Sequence, residues 1–89
     1  MSNIARIRAV ICANQYEYSQ HALEEMDEDD LSDSDVREAI LRGGVQAELI
    51  DDPRSIRYLV KGQSGSIDIE IIARFITEDA VRIITVYVP

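Results

Sequence analysis

The chain has 89 residues and a formal net charge of −8; 46% of its residues are apolar, 6% are aromatic and none is tryptophan. That is one domain, residues 1–89, with a small and mostly aliphatic core, and the apolar share excludes a wholly disordered chain. The acidic balance opposes binding to a phosphate backbone, which proteins approach with clustered Lys and Arg, and it suits a basic protein partner.

One cysteine, Cys12, forms no internal disulfide, and with one histidine it completes no zinc site. No metal or other cofactor is expected. No apolar run approaches the roughly 20 residues that cross a bilayer. Arg6 and Arg8 interrupt the first apolar stretch, where a secretory leader would be unbroken. A cytoplasmic setting without membrane contact is the expectation.

The first predicted element is a helix over Asn3–Ala13, with Ile4, Ile7, Val10 and Ile11 on one stripe and Ser2 or Asn3 as its cap. Cys12 reads as a small packing residue near its end. Tyr16–Tyr18 reads as a short extended segment. Ser19 is a natural N-cap for a helix over Gln20–Met26, whose inner stripe is Ala22, Leu23 and Met26. Asp27–Asp30 should break that helix, because like charges crowd and Asp is a poor helix former. Ser32 and Asp35 have capping-box spacing and open a third helix. Its inward residues are Val36, Ala39 and Ile40, and Gly43 or Gly44 supplies a left-handed stop.

After Gly44 the apolar period becomes two, the signature of strands. Val45, Ala47 and Leu49 form one alternating set, and Ile56, Tyr58 and Val60 another. The turn Asp51–Arg54 separates them, and Gly62–Gly65 reads as a hairpin loop. Ile67, Ile69, Ile71, Ala73 and Phe75 share the inner face of a third strand; Val81, Ile83, Thr85 and Tyr87 share that of a fourth. Short connections favour an antiparallel meander. The expected fold class is α+β, with three N-terminal helices packed on a four-stranded antiparallel sheet.

Three groups of residues are candidates for chemistry. His21 suits general acid–base work, or a bond that fixes the start of its helix. Eight of the twelve residues from Glu24 to Asp35 are acidic. Within that run Glu25, Asp27, Glu28, Asp29 and Asp30 are candidates to bind a basic partner; the spacing lacks the alternating acids and central glycine of a calcium loop. Arg54, Arg57, Lys61, Arg74 and Arg82 are cations of the strand region. Arg57 and Lys61 share strand parity and so one sheet face, and Arg74 and Arg82 join them if the register allows.

Tyr16-x-Tyr18-Ser19-x-His21-Ala22, then Met26, Leu31-Ser32, Val36, Ala39-Ile40 and the closing Ile83-Ile84-Thr85-Val86-Tyr87-x-Pro89 resemble the bacterial domain of unknown function 4258 family over residues 16–89. The resemblance implies a place beside RelE-like and MqsR-like toxins, a RelE-like toxin fold and a co-encoded antitoxin as partner. The implied activity is weak, metal-free RNA cleavage, with His21, Arg57 and Tyr87 as the catalytic set and Thr85 beside them. The family reads H-A-x-x-R-M-x-x-R, whereas this chain has Glu25 and Asp29 at the two arginine positions. A carboxylate repels the phosphate that an arginine would hold. The alternative is therefore a non-catalytic relative whose acidic surface binds a basic protein, with RNA or the ribosome disfavoured by charge.

Overall fold

The computed structural model of the protein describes residues 2–50 and 55–89. The expected turn Asp51–Arg54, and with it the candidate Arg54, lie outside the described residues. The elements run α1 (Asn3–Cys12), β1 (Tyr16–Tyr18), α2 (Gln20–Glu28), α3 (Asp33–Arg42), β2 (Gly44–Leu49), β3 (Arg57–Ser64), β4 (Ile67–Thr77) and β5 (Ala80–Tyr87).

The strands form one five-stranded sheet in the order β1-β5-β4-β3-β2. This corrects the expected four-stranded antiparallel sheet and the expected block of three leading helices, and with them the RelE-like layout. The tyrosine segment is itself a strand, inserted between α1 and α2, and it pairs parallel with β5. Three residues are too few to show a period, and their partner lies more than sixty positions away, so no local pattern announces the pairing.

The helix starts follow from their caps. Ser2, Ser19 and Ser32 accept the backbone N–H groups of Ala5, Ala22 and Asp35, and Ser32 with Asp35 completes a capping box. The Asp27–Asp30 run does not stop α2 where expected. The helix continues through Asp27 and Glu28 and closes at Asp30, which adopts a positive φ of 55°. Nor does α3 end in a left-handed glycine: Gly43 is extended. Its need is space, since a Cβ there would lie 2.4 Å from the Lys61 carbonyl oxygen. The Arg8 guanidinium donates to the Gly43 carbonyl, placing a cation at the negative end of α3.

The core joins Ile7, Val10 and Ile11 of α1 and Val36, Ala39 and Ile40 of α3 to the inner residues of β3, β4 and β5. Ile69, Ile71, Ile83 and Val36 are fully buried. Cys12 and Leu23, expected to pack, are exposed. Gly62 and Ser64 extend β3 beyond the predicted strand, so the hairpin turns at Gly65, where φ is +59°. All three helices leave one face of the sheet uncovered among the described residues.

Candidate functional site

The second helix is tied to the free side of β5 by side chains. β5 carries a bulge at Ile84, between the pairs Ile72–Thr85 and Ala73–Ile83. Among the described residues no strand pairs with its outer side beyond Ile83, and α2 takes over. The Ser19 hydroxyl donates to the Ile84 carbonyl at 2.7 Å, and the Val86 N–H donates to Glu25 Oε1 at 3.0 Å. Glu25 Oε1 also lies 3.2 Å from His21 Nε2. His21 itself is 65% exposed and, among the described residues, reaches the sheet only through Glu25. Glu25 and Ser19 are therefore the anchors, and the expected direct anchoring by His21 is not what the chain does.

At the far end of α2, Asp27, Glu28, Asp29 and Asp30 are all exposed. Among the described residues no cation pairs with them. They gather at the negative end of the helix dipole, where carboxylates are least favoured. The last turn of α2 contains no basic residue to offset them.

The strand cations lie elsewhere. The bulge reverses the parity of β5, so Val86 turns inward and the expected inner residues Thr85 and Tyr87 fall on the helix-free face. Register then places side chains on that face in rows. Lys61, Glu70 and Tyr87 form one row, Leu59, Ile72 and Thr85 the next, and Arg74, Arg82 and Glu17 a third. Arg57 is on this face too, by parity with Leu59 and Lys61. Lys61 pairs with Glu70 at 3.3 Å, and Arg82 with Glu17 at 3.1 Å. Tyr87 and Arg57 are two strands and four residues apart, or roughly 16 Å at the backbone. The sheet thus brings the cations to one face but does not bring Arg57 and Tyr87 together, and His21 stands on a helix at the edge.

One cluster was not foreseen. Tyr16 and Tyr18 both donate to Asp33 Oδ1, at 2.7 and 2.6 Å, and their rings meet edge to face. Arg37 Nη1 donates to the Tyr16 hydroxyl at 3.0 Å and to the Ile11 carbonyl and Asn14 Oδ1. Burial, then the bond to Asp33, pushes the Tyr18 phenol far above its ordinary range. The signal was present in the spacing: Y-x-Y puts both rings on one strand face, and Arg37 follows Asp33 by one helical turn. A second cluster joins α3 to the β3 hairpin. The Ser64 hydroxyl lies 2.7 Å from Asp35 and 2.8 Å from Glu38. The Ser32 N–H holds the Asp35 carboxyl below its usual range, and the Ser64 hydroxyl does the same for Glu38.

A groove of about 360 Å³ opens at the hairpin end beside Gln63, Asp68 and Pro89. Its polar groups are satisfied internally, since Gln63 donates to Asp68 at 2.7 Å and Lys61 neutralises Glu70. Among the described residues no three His, Cys, Asp or Glu side chains are placed to hold a metal ion, and no helix is long and apolar enough to cross a membrane.

Comparison with known families finds a match to Domain of unknown function (DUF4258) over residues 18–88. The match spans most of the chain, from Tyr18 through β5, and the chain belongs to that family. No curated protein and no solved structure matches it.

Proposed function

We propose that this DUF4258 domain is a protein-binding module, presenting the acidic end of α2 to a basic partner, and not a ribonuclease. The observation behind this reading is the set of four exposed carboxylates, Asp27, Glu28, Asp29 and Asp30, without a cation among the described residues. Bringing a basic segment there relieves repulsion at the helix end and speeds encounter. Phosphoryl chemistry without a metal needs cations around the reacting phosphate. Beside His21 the nearest charged group is a carboxylate, and the strand cations occupy the other face of the sheet.

If the wider kinship with RelE-like and MqsR-like toxins holds, a co-encoded antitoxin is the first partner to test. The ribonuclease reading keeps one supporting feature, the solvent-open His21 ring with Glu25 behind it, an arrangement suited to proton transfer. One experiment separates the two. The protein is titrated with the product of the adjacent reading frame and, separately, incubated with total RNA and translating ribosomes. The expected result is salt-sensitive binding lost on Asp27→Asn/Glu28→Gln/Asp29→Asn/Asp30→Asn, and no RNA cleavage. Robust cleavage by the unmodified protein that disappears on Arg57→Ala would overturn this reading. Cleavage gained only by Glu25→Arg/Asp29→Arg would support it, by showing which charges the scaffold lacks.

A further inference from the structure

Tyr58 faces Ala73 in the antiparallel ladder of β3 and β4, so the next pair along sets Arg57 opposite Arg74. On its other side Arg74 faces Arg82, and Arg82 faces Glu17. Leu49 stands opposite Arg57 at the β2 end. The helix-free face therefore carries one row across all the strands: Leu49, Arg57, Arg74, Arg82 and Glu17. Its arginines stand side by side and span roughly 10 Å at the backbone. Like charges directly opposite one another cost stability. Arg82 has Glu17 at 3.1 Å. Arg74 has an arginine on either side, and its side chain makes no ion pair or hydrogen bond among the described residues. The next row, roughly 7 Å along the strands, is Leu59, Ile72 and Thr85.

We propose that this face docks an acidic amphipathic helix of a partner protein, laid across the strands along the arginine row. Helical residues at i, i+3 or i+4, and i+7 share one face and rise about 5 Å per step. That matches the roughly 4.8 Å between neighbouring strands. Carboxylates at this spacing bring one acid to each arginine, whose planar fork suits a carboxylate. A helix is roughly 10 Å wide, so apolar side chains beside its acidic stripe reach Leu59 and Ile72. The ends of the row disfavour a nucleic-acid backbone. The arginines stop at Glu17, and Glu70 and Asp68 lie beyond the apolar row. A polyanion charged at every nucleotide runs onto these carboxylates, whereas two turns of acidic helix end before them. Asp27 to Asp30 take no part, so this inference stands independently of the binding function proposed above.

The test follows amide NMR shifts of the isotope-labelled chain during titration with two synthetic helical peptides of about 18 residues. Both have the same composition. One carries glutamates at i, i+4 and i+7 beside a leucine stripe, and the other has those glutamates spread around the helix. The first should shift Leu59, Ile72, Arg74 and Arg82 and bind roughly tenfold more tightly than the second. Arg74→Gln should weaken that binding roughly tenfold, and Arg42→Gln, on α3, should leave it unchanged. Without peptide, Arg74→Gln should melt about 3 °C higher at low salt, because a like-charge neighbour is gone. A lower melting temperature would make Arg74 a structural residue and overturn the proposal. On the native chain, equal affinity for the two peptides, or no shift on this face at millimolar peptide, overturns it as well. So does tighter binding of a single-stranded RNA oligomer at the same residues. Self-association of the native chain that is lost on Arg74→Gln would make a second copy the occupant instead.

Discussion

A Cβ on Gly62 would lie 1.8 Å from the Ala39 carbonyl oxygen, and backbone on both sides leaves nothing flexible to yield. Gly62→Ala should therefore force α3 off β3 and lower stability by about 3 kcal/mol in urea melts. Gly44→Ala, where nothing lies within 4 Å of the added atom, should change it by less than roughly 0.5 kcal/mol. The same contrast divides His21 from Glu25. His21 is exposed, so His21→Ala should leave the melting curve nearly unchanged. Glu25→Ala leaves the Val86 N–H without its acceptor and should cost about 1–2 kcal/mol. Equal losses from both substitutions would restore His21 as the anchor.

Among the elements, β1 is the one most dependent on polar contacts. Its two phenols hang on a single carboxylate of α3, and Arg37 ties the Tyr16 hydroxyl to the end of α1. The raised Tyr18 phenol has a clear sign. The folded chain holds the proton more tightly than the unfolded one, whose phenol titrates near 10.0. This stabilisation is complete below that pH and is lost as pH rises above it. Alkaline titration should unfold the native chain more steeply than Tyr18→Phe, which itself should cost about 1 kcal/mol at neutral pH. A Tyr18→Phe variant with the native alkaline slope would place the titrating group elsewhere. At α2 the electrostatics run the other way: Asp29→Lys at its negative end should stabilise by about 0.5 kcal/mol, and less in high salt.

At the scale of the whole molecule the chain is a single sheet with helices on one face, and its stability rests on an aliphatic centre. Ile71→Ala should cost about 2–4 kcal/mol because Ile71 is wholly buried; a thermal melt without loss would mean that the strand lies in another phase. The helix caps, the core stripes of α1 and α3, and the inward phase of Tyr58, Val60, Ile69, Ile71 and Ile83 were legible in the sequence, since each depends on neighbours within a turn or on an unbroken period. The same holds for the shared parity of Arg57 and Lys61. What only the tertiary structure decided depends on contacts between distant segments. A three-residue strand becomes the sheet edge because β5 lies ready beside it. A bulge at Ile84 sends Thr85 and Tyr87 to the face away from the helices, and no period within one strand reveals an extra residue opposite its partner. Glu25, read as one more acid in a charged run, becomes an anchor because the edge of β5 beyond β1 has an amide to satisfy.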